Sequence, residues 1–308
     1  MTVFAGQGDP RRSMALLWLP PGPADRPRTG PGPKPALSVG AVVDAGIAVA
    51  DEQGMAALSM RAVGERLGRT AMALYTYVPG KGELLDLMHD RVLAELLADL
   101  SAEPGPTAEP APAEPEPGTA VGRGLPPHPA GPSWRADVTR WAERCWAFHL
   151  RHPWVLLISQ ARPVLGPNEY AVVEALLRAL AGTGLGAGVL RRAAGVLVNH
   201  VRGSAQAVAE SRQAAAATGV SDEQWWFARA SLLPELAPDF AERYPLLTAV
   251  EQDRAADFGP PDRGADGEPV PYLEGEAAAT FRAGLVLLLD GLAAAVAAAG
   301  PDPAARPD

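Results

Sequence analysis

Three scarcities bound this chain of 308 residues. Cysteine occurs once, at Cys145, which excludes a disulfide framework and a four-cysteine zinc site and fits a reducing compartment. No apolar run reads as long enough to cross a bilayer. The early patch MALLWLPPGP (14–23) is too short and proline-broken for a signal peptide. Positive charge is in deficit as well: 27 Lys and Arg stand against 36 Asp and Glu, a net charge of −9. The molecule as a whole is therefore no basic nucleic-acid binder, and charge has to be read locally. A soluble, cytoplasmic protein without a membrane partner is expected. Catalytic signatures are missing too: there is no Walker A, no G-x-S-x-G and no zincin motif. GTGLGAG (182–188) follows no strand and does not fit G-x-G-x-x-G, so it reads as a connection between helices. No enzyme and no cofactor are expected.

Proline and glycine are abundant, 32 of each, and clustered. Their clusters set the expected domains. Residues 1–36 read as a disordered arm, locally basic through Arg11, Arg12, Arg26, Arg28 and Lys34. Residues 37–100 form a first folded region, and 133–299 a second. Between them, 101–132 is a Pro/Ala/Glu-rich linker or surface insertion whose composition cannot offset its ordering entropy. Residues 300–308 form a disordered tail.

Within the folded regions apolar residues recur at helical spacing, and no period-2 pattern stands out. The expected fold class is all-α. Ser38 caps a first helix that stops at Gly54; Ser59 caps a short second helix that stops at Gly68; Thr70 caps a short third helix through about Tyr77. Lys81 opens a longer fourth helix. The second region carries helices over about 133–151, 167–181, 187–217, 222–236 and 276–298, with 251–275 as loop. A long helix followed by two short ones joined at a glycine turn is helix-turn-helix geometry, although helical hairpins also occur in bundles with no DNA role. Thr70, Ala71, Ala73, Thr76 and Tyr77 lie away from Leu74, and their small or hydroxyl-bearing side chains permit close approach to base edges and phosphates.

Residues 37–97 resemble the TetR family of transcriptional regulators. DEQG (51–54), LSMR (58–61), the Leu67-Gly68 turn, LYTYV (74–78) and GKGELL (80–85) stand in the family's order and spacing. FHLRHPWV (148–155), GPNEY (166–170) and FRAGLVLLLDGL (281–292) resemble the ligand-binding domain of members close to the tetracycline repressor. The resemblance implies an N-terminal three-helix DNA-binding domain and a C-terminal ligand-binding and dimerisation domain. It puts Tyr75 and Tyr77 on a recognition helix, Lys81 at a phosphate, Arg61 near a guanine edge or phosphate, and Ala71, Met72 and Ala73 at base-reading positions. Those three offer apolar contact without a bidentate hydrogen bond, so shape readout gains weight. The implied partners are a palindromic double-stranded DNA operator and a small, largely apolar effector. A second copy of the chain is implied too, paired through the helices at 187–217 and 276–298. The resemblance implies a repressor, nucleoid-associated when bound to DNA.

On the effector side Trp141, Cys145 and His149 share one helix face. With Trp154, and with Asn199 and His200 as polar groups, they are candidate pocket residues. Core packing is the simpler role for each aromatic residue, and Cys145 reads as a small buried hydrophobe. His149 and His152 form an H-x-x-H pair with no carboxylate within a turn, so capping or packing outranks metal ligation and no metal is expected. The rival from another class is a helical-bundle enzyme or a metal or small-molecule carrier using His149, His152 and His200. A member of the same fold acting only through protein contacts is a third possibility.

Overall fold

The computed structural model describes residues 3–19, 37–102, 134–256 and 270–299. The elements are α1 (Pro10–Trp18), α2 (Val39–Gln53), α3 (Met60–Leu67), α4 (Ala71–Leu74), α5 (Lys81–Ser101), α6 (Trp134–Arg151), a 3-10 turn (Pro153–Leu157), α7 (Pro167–Ala181), α8 (Ala187–Thr218), α9 (Asp222–Ala230), α10 (Leu233–Leu236), α11 (Phe240–Arg243), α12 (Pro245–Ala256) and α13 (Tyr272–Ala299). Among the described residues no strand forms beyond one isolated parallel bridge, Val3 to Ile158. The all-α expectation holds.

The helices start where short hydroxyl side chains satisfy orphan N–H groups. Ser38 accepts from the Ala41 N–H at 3.1 Å, Ser59 from Ala62 at 3.1 Å, and Thr70 from Ala73 at 3.4 Å. The turn between α3 and α4 needs Gly68, whose φ is +64°, in the left-handed region. Helix α4 is shorter than expected. It ends at Leu74, whose carbonyl accepts from both Tyr77 and Val78 at 2.9 Å, so residues 75–77 are turns. Pro79 disfavours helical geometry at the residue before it, which closes the run.

Two compact units divide the chain, Met1–Asn199 with Leu289–Asp308, and His200–Leu288. The division differs from the expected domains, because α5 packs on α2 and also on α6 and α7. In the first unit Val42, Val49, Leu58, Leu74, Leu84 and Met88 are almost fully buried. Gly46 lets α5 approach α2, since a Cβ there would lie 2.7 Å from the Met88 sulfur.

The largest departure is at the N-terminus. Residues 3–19 are not a disordered arm: Asp9 caps α1 through the Arg12 N–H at 2.8 Å, with Pro10 as its first residue. The segment is held by distant partners. The Val3 N–H donates to the Leu157 carbonyl at 2.8 Å, the Gly6 N–H to Asp86 at 2.9 Å, and the Trp18 indole to the Leu165 carbonyl at 2.9 Å. The rest of the arm, residues 103–132 of the linker, residue 133 and the 300–308 tail lie outside the described residues.

In the second unit the helix expected over 222–236 is two helices, α9 and α10, and α9 opens on a reciprocal capping box between Ser221 and Gln224. Part of the expected loop at 251–275 is helical, because α12 runs to Ala256 and α13 starts at Tyr272. Against the absence of a spanning run, α13, at 28 residues, is long and apolar enough to cross a membrane by length and composition alone. Its alanines and leucines produce that signal.

Candidate nucleic-acid interface and effector region

Helix α3 buries Met60 and Val63, α4 buries Leu74, and the remaining faces stay open. Met72 is 77% exposed and Tyr75 44%. Arg61, Thr70, Thr76 and Lys81 are exposed, whereas Ala71, Ala73 and Tyr77 are half-buried. Helix α3, helix α4 with its cap and the turn after it, and the start of α5 carry these residues. The Thr70 hydroxyl is already used as the α4 cap.

Local charge explains how an acidic chain offers such a surface. Between residues 37 and 82 four cations meet four acids. The Arg66 guanidinium donates to both Glu52 oxygens at 2.7 Å and holds that carboxyl below its usual range. Arg91 reaches Asp44 at 3.2 Å, and Arg61 lies 3.7 Å from Glu65. Asp51 is taken by His152. Arg69 and Lys81, both exposed, have no acidic partner among the described residues. Arg69 was not among the sequence candidates; its signal was a lone cation beside the helix-capping Thr70.

His152 packs against Phe148, with ring centres 5.2 Å apart, and although no carboxylate lies within a turn of it in the sequence, the fold brings two to it. It makes no side-chain cap on the 3-10 turn. Its Nδ1 is 2.9 Å from Asp51 Oδ1 and its Nε2 3.1 Å from Glu95 Oε2. Both carboxylates come from distant elements, α2 and α5, which no local spacing reveals. Burial lowers the His152 pKa, but the hydrogen bonds and charges of Asp51 and Glu95 outweigh it and leave the pKa raised. Asp51 also accepts from the Trp154 indole at 2.6 Å. The end of α2 is thereby bound to the segment that follows α6.

Trp141, Cys145 and Trp154 are buried, and His149 is half-buried beside Phe148 with ring centres 5.5 Å apart. The Trp141 indole donates to the Val172 carbonyl at 3.2 Å. Burial pushes the Cys145 thiol pKa up, which keeps it protonated and inert. Asn199 is exposed on α8. In the second unit, His200 Nε2–H donates to the Phe281 carbonyl at 2.9 Å and the two rings stack 5.7 Å apart. Gly284 leaves the space that this imidazole occupies. Among the described residues no group of three His, Cys, Asp or Glu side chains is placed to hold a metal ion, so His149, His152 and His200 do not form one centre.

Residues 42–88 match the family of bacterial regulatory proteins of the tetR type, and residues 125–263 match the tetracyclin repressor-like C-terminal domain. The transcriptional repressor DrrR1 of Streptomyces coeruleorubidus is 34% identical over 259 residues, covering 84% of this chain and 82% of that protein. An HTH-type transcriptional regulator of Saccharopolyspora erythraea is 30% identical over 216 residues, covering 70% and 80%. Among solved structures, apo ActR of Streptomyces coelicolor aligns with a TM-score of 0.56 at 21% identity, covering 86% of this chain and 98% of that one, and ActR has also been solved with actinorhodin. These relatives are DNA-binding regulators and not enzymes, which sets aside the bundle-enzyme alternative. With its helix-turn-helix, its repressor-like C-terminal region and relatives that match it along most of their length, the chain belongs to the TetR family of transcriptional regulators.

Proposed function

We propose that this regulator is a ligand-responsive repressor that binds a palindromic operator as a homodimer and is released by a small, largely apolar effector. The observation that supports it most is the uncovered face of α4 and the turn after it, where Met72 and Tyr75 stand exposed, followed at the start of α5 by Lys81, an exposed cation without an acidic partner among the described residues. In this reading Tyr75, Tyr77, Thr70 and Thr76 give hydroxyl contacts to the backbone, and Ala71, Met72 and Ala73 lie against base edges. Lys81 adds its charge to the N-terminal field of α5 at a phosphate, and Arg61 reaches the same groove. Effector contacts fall to Trp141, Cys145, His149 and Trp154, with Asn199 and His200 as the polar candidates. ActR in complex with actinorhodin supports an organic effector. The protein works in the cytoplasm and is nucleoid-associated when bound to DNA. The effector must bind the DNA-incompetent state more tightly by the same free energy that it removes from operator binding.

A gel-shift titration on the intergenic DNA flanking its own gene tests the reading. Wild type and the Tyr75→Ala/Lys81→Ala double variant are compared at two salt concentrations. Sequence-selective binding that weakens with salt and is lost in the double variant is the expected result. Unchanged binding by the double variant would remove α4 and α5 from the interface.

A further inference from the structure

The face of α4 has a chemical gap. Ala71, Met72 and Ala73 carry no strong hydrogen-bonding group, so none makes the bidentate contact that separates one base pair from another. Tyr75 and Thr76 bring a single hydroxyl each. Arg69 stands at the entrance of this helix, next to its N-cap Thr70, and its side chain is exposed. Its backbone is fixed on both sides. The Arg69 N–H donates to the Gly64 carbonyl at 2.8 Å, and Gly68 before it turns through φ +64°. Its own carbonyl lies so close to α3 that a Cβ on Gly64 would come within 2.7 Å of it. The guanidinium, in contrast, has no acidic partner among the described residues, whereas Arg66 is held by Glu52 and Arg61 lies against Glu65.

We propose that Arg69 reads a guanine edge in each half-site and supplies the bidentate donor that α4 lacks. This rests on the operator-binding function proposed above. Recognition helices present their N-terminal end to base edges, which is where Arg69 sits. The planar guanidinium matches the guanine O6/N7 pair with a fixed two-donor fork, which the lysine ammonium lacks. A backbone already held by the turn lowers the ordering cost of placing the side chain. Lys81, at the start of the next helix, keeps the phosphate role.

The test uses the full chain. Wild type first selects its operator from random DNA. Then Arg69→Ala and Arg69→Lys are titrated on that operator and on versions with each base pair replaced in turn. A guanine is expected at one position of each half-site. At that position Arg69→Ala loses discrimination, about 5- to 150-fold per half-site, and keeps it elsewhere. Arg69→Lys retains the salt dependence without restoring the preference. Replacing that guanine by 7-deazaguanine is expected to weaken wild type and leave Arg69→Ala unmoved, with no change to the protein's fold. Equal weakening on all sequences, with a salt slope reduced by about one per contact, would make Arg69 a phosphate ligand and overturn the proposal. Unchanged affinity and preference in Arg69→Ala would overturn it as well, while leaving the operator function standing. Selection of no sequence by wild type would overturn both.

Discussion

Asp51 occupies the last turn of α2 and accepts from two side chains beyond α6, the imidazole of His152 and the indole of Trp154. Glu95 completes the bridge from α5. Two flanking carboxylates favour the charged form of this histidine and outweigh the burial that disfavours it. Its pKa in the folded chain lies above the unfolded value, so the bridge stabilises fully below about pH 6.5 and loses its contribution as pH rises through the folded value. His152→Gln is accordingly expected to cost on the order of 1 kcal/mol near pH 6. That deficit shrinks toward pH 9. Urea unfolding of both proteins across this range measures it. A deficit that stayed constant with pH would mean that His152 binds its proton equally well in the folded and unfolded chain, with no net effect of the two carboxylates. None of this was legible locally: His152 lies 101 residues from Asp51 and 57 from Glu95, and an H-x-x-H spacing says nothing about acids on other elements.

Helix α5 is the element that organises the first unit. One side packs on α2, and two of its buried carboxylates, Asp86 and Asp90, receive backbone N–H groups from elsewhere. Asp90 accepts from the Asn168 N–H at 2.9 Å and the Glu169 N–H at 3.0 Å, and the Asn168 amide adds a third bond. It thereby caps α7 from a different helix, since the N-cap position itself is Gly166, which has no side chain to give. A Cβ on Gly166 would collide with the Asp90 carboxylate, so the glycine is what admits it. Burial raises the Asp90 pKa and the N–H groups oppose it. Asp90→Ala is expected to destabilise the chain by about 1–3 kcal/mol, and Asp90→Asn by less, because the amide oxygen still accepts. Thermal unfolding with circular dichroism decides; equal losses in the two variants would show that charge rather than capping matters. Asp86 does similar work for the N-terminal segment by accepting the Gly6 N–H. The helices of the DNA-binding region were readable because their caps and stops lie within three or four residues. Helix α1 was missed because it is a short helix in a Pro- and Gly-rich stretch that depends on α5 and Leu165 for its place.

At the scale of the whole molecule, large apolar side chains remain uncovered on single helices. Leu287 is 72% and Val286 51% exposed on α13, and Val196 is 48% exposed on α8. These are the two helices proposed to pair between protomers, and the exposed face of α13 suits contact with a second copy of the chain. The 32.1 kDa chain is expected to sediment at twice its mass. Leu287→Glu, which places a charge on that face, is expected to shift the dimer toward monomer by at least about tenfold in dissociation constant. Analytical ultracentrifugation over a concentration series measures this. A dimer unaffected by Leu287→Glu would place the interface elsewhere.

Helix starts, the glycine turn at Gly68 and the order of the DNA-binding helices were set by contacts between near neighbours, and near neighbours are written side by side in the chain. Ser38 to Ala41 and Ser59 to Ala62 each span three residues. The docking of the N-terminus, the carboxylate bridge at His152 and the capping of α7 span much more, with 80 residues from Gly6 to Asp86 and 147 from Trp18 to Leu165. Such pairings have no periodic signature, because a buried carboxylate takes whichever donor folding brings to it, and that choice is made when the helices pack.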